Sequence, residues 1–240
     1  MKIRKISDLK LIQNFLVFPL IAGFFSHSAL SQSSKCQIKG QVSSYKTKEP
    51  IEAKLVFEKQ PDASLTIISQ SSQRGYRATL FERGEFYCLV SAEGYVTERW
   101  EFNLTVDSLK TAEVLGKNFE LIPISLNEVL PFNKILFDIT SYKLSLESMP
   151  ELARLANMMA ENPSIKISLE GYTDNNVKSK KTIELATNRI KEVKKWLIIK
   201  GIPKKRIKLK AIGENKPLVG TDTKDLRRVN RRVEVRVISL

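Results

Sequence analysis

Leu169-Glu170-Gly171-Tyr172-Thr173-Asp174-Asn175, with Glu184-Leu185-Ala186-Thr187-Asn188-Arg189 close behind it, is the stretch on which the fold turns. The alternating run Ile165-Lys166-Ile167-Ser168-Leu169 leads into a Thr-Asp-Asn turn, and apolar residues then recur at helical spacing. The pattern is strand, turn, helix. It places a carboxylate at the strand end and a guanidinium in the helix's second turn. Fifteen positions separate Asp174 from Arg189, so the two can face one pocket. Such a pair suits a zwitterion, the carboxylate taking an ammonium and the planar arginine fork a carboxylate. The same spacing also suits a salt bridge that merely staples loop to helix.

Outward from this stretch, strands and helices alternate. Residues 135–139, 165–169, 207–211 and 233–237 read as strands. Residues 147–161 read as a helix with Leu152, Leu155, Ala156 and Met159 on one face, closed by Asn162-Pro163. A second helix over 182–200 buries Ile183, Ala186, Ile190, Val193 and Leu197 and stops at Gly201, and a short helix is expected over 222–230. This predicts a two-layer α/β sandwich, with helices on one face of a mixed sheet. Residues 37–122 instead show short strands broken by glycine and proline and no helical period, which predicts an all-β antiparallel sandwich. The expected layout is two domains, 32–122 and 132–240, joined by a linker over 123–131.

The chain opens with Lys2, Arg4, Lys5 and Lys10, an apolar run over about 15–25, and Ala29-Leu30-Ser31 as a cleavage site, which reads as a secretory signal over 1–31. The apolar run is shorter than the ~20 residues a membrane span needs. Cys36 follows a lysine, which does not fit acylation. With Cys88 it makes an even pair in an exported chain, so a Cys36–Cys88 disulfide is expected, with two buried thiols as the alternative.

Charge is unevenly placed. Residues 32–131 hold 12 Lys and Arg against 13 Asp and Glu, whereas 132–240 hold 24 against 12. A basic half points to an anionic partner or to a solvated surface. The only histidine is His27, inside the signal. A mature chain without histidine excludes Ser-His-Asp hydrolysis, Cys-His proteolysis and histidine-bound zinc. No carboxylate pair stands out for glycoside chemistry. No enzymatic activity, metal or cofactor is expected.

The motifs Ile135-Leu136-Phe137-Asp138, Ser141, Glu161-Asn162-Pro163, Gly171-Tyr172-Thr173-Asp174-Asn175, Arg206-Ile207, Gly213-Glu214 and Asn230-Arg231-Arg232-Val233-Glu234, in that order and spacing, resemble the OmpA C-terminal-like peptidoglycan-binding family. The resemblance covers roughly residues 130–240. It implies that Asp174 and Arg189 hold the diaminopimelate of a peptidoglycan stem peptide, with Arg232 near the same site. It also implies that Asp138, Thr140 and Ser141 edge the pocket, with Thr182 among the binding residues. The family usually carries His where this chain has Tyr172, Asn at Thr182, Ser at Ala186 and a loop glycine at Val177. Tyr172, Trp196 and Phe137 read as core, and Arg231 as structural. Gly40, Pro50-Ile51, Ala53, Val56, Gly84-Glu85-Phe86-Tyr87 and Glu93-Gly94-Tyr95 are similar to the non-catalytic carboxypeptidase regulatory-like sandwich family.

The expected protein is therefore an envelope component in the periplasm of a diderm bacterium, associated with cell wall and outer membrane. Its expected ligand is peptidoglycan, and its N-terminal sandwich would meet an outer-membrane or periplasmic protein. The competing reading is an assembly protein with a degenerate wall site, its basic face docking acidic lipid or protein. Nucleic acid fits the charge but not the export signal.

Overall fold

Strand β1 (Cys36–Gly40) buries Cys36 and Ile38 and turns Gln37 and Lys39 outward, the period-two alternation read from the sequence. The same rule sets β3 (Lys54–Lys59), which buries Leu55 and Phe57, and β5 (Tyr76–Leu80), which buries Tyr76, Ala78 and Leu80. The computed structural model describes residues 35–105, 114–132, 135–138, 140–173, 179–213 and 230–240. The signal expected over 1–31, Asp174, Val177 and nearly all of the helix expected over 222–230 lie outside the described residues.

The N-terminal strands build three sheets around one hydrophobic core. β4 (Thr66–Gln70), β3, β6 (Gly84–Ser91) and β7 (Glu98–Leu104) form an antiparallel sheet in the order β4-β3-β6-β7. β5, β1 and β8 (Val114–Gly116) form a second sheet, and β2 (Val42–Ser44) pairs with β9 (Phe119–Leu121). Leu55, Phe57, Phe86 and Val90 meet Ile38, Leu80, Phe119 and Leu121 in the shared core. Trp100 stacks on Phe102 at 4.1 Å, and Phe102 on Phe86 at 5.6 Å. The expected antiparallel pattern is corrected at two places: β1–β8 and β2–β9 are parallel. Parallel neighbours need a crossover rather than a hairpin. Here β8 and β9 come back to strands laid down before the whole four-stranded sheet.

Cys36 and Cys88, the pair expected to be bridged, both lie buried in this core. Cysteine packs as a small apolar group when no bond forms, and burial pushes the Cys88 thiol upward. Folded protein should therefore leave Cys88 unlabelled by a water-soluble thiol reagent, with labelling after denaturation in the absence of reductant. Rapid labelling of Cys88 in native buffer would contradict its burial.

The C-terminal sheet has the order β10-β13-β11-β12. β11 (Lys166–Gly171) runs parallel to β12 (Ile207–Ala211) and antiparallel to β13 (Val233–Ser239), so the sheet is mixed as expected. The fourth strand is a surprise. β10 (Val129–Leu130) comes from the stretch read as a linker and pairs with β13. Residues 135–138, expected as a strand, make only a bridge, Leu136 to Arg232, with Val233 N–H donating to Ile135 C=O at 3.1 Å.

Two helices cover the sheet. α1 (Met149–Glu161) has Pro150 in its first turn and buries Leu152, Leu155, Met158 and Met159. Asn162 closes it, its Nδ2 donating to Met158 C=O at 2.8 Å while its Oδ1 accepts from Gly94 N–H at 2.6 Å. α2 (Lys180–Ile199) starts two residues earlier than the sequence reading, because Ser179 caps it. Thr182 N–H donates to Ser179 Oγ at 3.2 Å, and Ser179 N–H to Thr182 Oγ1 at 2.9 Å. α2 sits close to β11 because Gly171 has no side chain. A Cβ there would lie 2.8 Å from Ala186 O and 2.9 Å from Ile190 Cγ2.

On the strand β11, Glu170 is buried and forked by Arg236, whose Nε and Nη2 each lie 3.1 Å from a carboxylate oxygen, with Lys210 Nζ at 3.5 Å. Burial raises this carboxyl, but the Arg236 hydrogen bonds and the two positive charges outweigh it and leave it below its ordinary value of 4.5. The folded state thus releases this proton more readily than the unfolded chain. The stabilisation is complete above the unfolded value and is lost as pH falls through the lowered folded value. Glu170→Gln should flatten the acid limb of a stability–pH curve measured by urea unfolding, and an unchanged acid limb would sink this assignment.

Candidate functional site

The α2 register that buries Ala186 and Ile190 also carries Arg189 inward, and its side chain is 0% exposed. Its Nε donates to Ser141 C=O at 3.0 Å and its Nη2 to Asp138 C=O at 2.8 Å. Nη1 reaches Tyr172 C=O at 3.4 Å, and the guanidinium lies 5.2 Å from the Phe137 ring centroid. One cation thus ties three pieces of backbone: the 138–141 turn, the end of β11 and α2 itself. Charge-assisted hydrogen bonds to carbonyls hold the planar fork in a fixed orientation.

The turn it holds is strained. Thr140 has φ of 56°, in the left-handed region that β-branched residues avoid. Asp138 and Thr140 are exposed and Ser141 half-buried, and the Asp138 and Ser141 carbonyls face Arg189. Ser141 Oγ accepts from Lys143 N–H at 3.1 Å.

Arg232 approaches from the other side of Tyr172. Its guanidinium lies 4.3 Å from the Tyr172 ring centroid, and its Nε and Nη2 donate to Glu234 Oε1 at 2.8 and 2.6 Å. Tyr172 is therefore the joint between the two arginines: its carbonyl faces Arg189, its ring Arg232, and its N–H donates to Arg232 C=O at 3.0 Å. Burial pushes its phenol upward, reinforced by the charges of Glu234 and Glu170. Next to it, Thr173 is buried, its hydroxyl donating to Gly213 C=O.

Among the residues expected at the site, Arg189, Asp138, Ser141 and Arg232 converge on one region, with Thr140 in the strained turn. Thr182 is buried at the start of the same helix, and its hydroxyl serves the Ser179 cap. Asp174 lies outside the described residues. Phe137 and Tyr172 are buried as expected, and Trp196 is partly buried against the core. Two further arginines matter: Arg206, which charge counting alone had put on the surface, and Arg231, read as structural. Arg206 is buried and donates to Ile165 and Asn162 carbonyls at 2.8 and 2.5 Å, its burial lowering its pKa. Arg231 is buried with Nε on Phe137 C=O at 3.1 Å. Arg206 stands immediately before β12 and Arg231 two residues before β13, and both guanidiniums bond carbonyls outside the strands.

Among the described residues no cluster of three or more His, Cys, Asp or Glu forms, and no helix is long and apolar enough to cross a membrane.

Comparison with known proteins falls on this same segment. The OmpA family model matches residues 136–231. Outer membrane porin F of Pseudomonas fluorescens is 30% identical over 43% of this chain and 32% of its own length. The peptidoglycan-binding protein ArfA of Mycobacterium bovis is 31% identical over 35% of this chain and 26% of its own. The chain therefore spans about a third or less of these curated relatives. The periplasmic domain of Helicobacter pylori MotB is 27% identical, covering 46% of this chain and 74% of that one, with a TM-score of 0.40. Motifs, mixed sheet and family match agree: residues 136–231 are an OmpA family domain.

Proposed function

We propose that this chain is a non-catalytic cell-envelope protein that binds peptidoglycan non-covalently, Asp174 and Arg189 holding the diaminopimelate of the stem peptide. The observation that carries this reading is the OmpA family domain with Arg189 fixed at the meeting point of the 138–141 turn and the β11 end. A guanidinium already oriented by three carbonyls pays little further ordering entropy when a ligand arrives. Asp138, Thr140 and Ser141 would form the rim, and Arg232 would add positive potential behind Tyr172. The relative named as a peptidoglycan-binding protein supports the same ligand.

In this proposal residues 1–31 are an export signal, and 32–122 a carboxypeptidase regulatory-like sandwich that meets an outer-membrane or periplasmic protein. Residues 123–131 connect it to the wall-binding domain, 132–240. The protein works in the periplasm, tied to wall and outer membrane.

The test is competition. Soluble stem peptide carrying diaminopimelate should displace the protein from isolated cell wall, and the same peptide carrying lysine should do so at least about tenfold more weakly, since it lacks the side-chain carboxylate. Equal competition by both peptides would contradict the assignment.

One observation favours the second reading, an assembly protein with a degenerate site. Arg189 is fully buried and Thr182 is engaged in the helix cap, so both already serve the fold. Under that reading neither peptide competes.

A further inference from the structure

Lys39 on β1 and Arg77 on β5 stand directly opposite each other in an antiparallel pair. Both are exposed, on the outer face of the sheet. Like charges so placed repel. Arg74, in the turn that leads into β5, brings a third cation to the same cavity of about 680 Å³. No carboxylate is among the described residues that line it.

The rest of the lining is equally one-sided. Gln70 and Gln73 are exposed on its walls. Its shape is fixed from below: Gln41 N–H donates to Asn118 Oδ1 at 2.9 Å, and Gln41 Nε2 to Gln73 C=O at 3.3 Å. Gly116 faces Lys39 across the parallel β1–β8 pair, and a Cβ there would meet nothing within 4 Å. The lining is therefore open beside Lys39, at an exposed glycine where a side chain would normally stand. The single aromatic ring in the lining, Tyr76, is buried with its hydroxyl on Lys117 C=O at 2.7 Å, so no ring is presented for stacking.

Primary amides pair a donor with an acceptor and so match hydroxyl groups. Clustered guanidinium and ammonium groups match a carboxylate or phosphate. Apolar ligands need apolar walls, and single-stranded nucleic acid needs exposed rings; this cavity offers neither. We infer that it binds an acidic saccharide, with Lys39, Arg74 and Arg77 gripping the acid group and Gln70 and Gln73 reading the ring hydroxyls. The site lies on the N-terminal sheets and owes nothing to Arg189. It would give the chain a second, independent glycan contact.

The experiment titrates the full chain with four probes: tetragalacturonate, glucosamine 6-phosphate, neutral maltotetraose and a DNA tetranucleotide. At least one of the first two should bind, and which one names the acid as carboxylate or phosphate. The neutral sugar and the DNA should bind at least about tenfold more weakly. Two variants then separate shape from charge. Arg74→Gln with Arg77→Gln should abolish binding. Gly116→Phe keeps every charge, fills the open space beside Lys39, and should weaken binding about tenfold or more. If Gly116→Phe does not fold, Gln70→Ala with Gln73→Ala should show the same loss. Absence of binding by both acidic sugars, DNA binding as strong as theirs, or unchanged affinity in the shape variants would overturn the proposal. An Asp174→Asn control should leave this affinity unaltered, so failure here and failure of the wall-binding reading remain separate results.

Discussion

Arg189→Ala should destabilise the protein by roughly 3–5 kcal/mol, a large share of the roughly 5–15 kcal/mol that holds a typical domain together. The reason is what it leaves behind. Asp138, Ser141 and Tyr172 carbonyls would each lose a donor at 2.8–3.4 Å, the Tyr172 bond buried and the other two partly so. An orphaned buried acceptor costs about 1–3 kcal/mol, and the side chain's contact with Phe137 goes as well. The strained φ of Thr140 would lose the bonds that hold its turn. Arg189→Lys should fall between, since an ammonium keeps the charge but cannot reach three carbonyls in one plane. Urea unfolding of the three proteins checks this, and a loss below about 1 kcal/mol for Arg189→Ala would show that the hub carries little of the fold. It follows that loss of wall binding in Arg189→Ala alone would not separate a missing ligand contact from a disordered site.

The second large effect is at Gly171. Its missing side chain lets the Ala186 carbonyl approach to within 2.8 Å of the place a Cβ would occupy, with Ile190 Cγ2 at 2.9 Å. Backbone oxygen cannot swing aside, so Gly171→Ala should push α2 away from β11. Overpacking of this kind costs typically about 1–3 kcal/mol, and Gly171→Val should cost more. Because Arg189 rides on the same helix, the shift should also loosen its bond to Tyr172 C=O. Thermal unfolding tests the first point. A variant as stable as the parent would mean that α2 has more freedom over the sheet than its packing implies.

The elements with strong periods were legible from the sequence. β11, α1 and α2 carry apolar residues at 2.0 and 3.6 residue spacing, and each formed within two residues of its expected bounds. β10 was not legible, because two residues between Pro123 and Pro131 show no period. Only the exposed edge of β13 makes a strand of them. Residues 135–138 looked like a strand for their apolar content, yet they make a single bridge with Arg232. The parallel returns of β8 and β9 were hidden for a related reason: local sequence marks turns, and a crossover has none. At the site, the arginines were visible but their depth was not. The sequence reading set Arg189 and Arg232 at a pocket, gave Arg231 a structural role and left Arg206 on the basic surface. The structure buries all four, three of them on main-chain carbonyls and Arg232 against Glu234 and the Tyr172 ring. Capping was also missed, since Ser179 and Thr182 read as loop and ligand positions until their reciprocal bonds fixed the helix start.

The central claim is that Asp174 and Arg189 together make this domain a wall binder. The most direct measurement is co-sedimentation of the parent protein and Asp174→Asn with diaminopimelate-type peptidoglycan at low and high salt. Surface attraction is screened over about 8 Å at physiological ionic strength, whereas a pocketed pair is screened much less. The account predicts that the parent stays with the wall at high salt while Asp174→Asn, equally stable to urea, remains in the supernatant. Equal retention of both at low salt and equal release at high salt would contradict it, leaving only the basic surface at work.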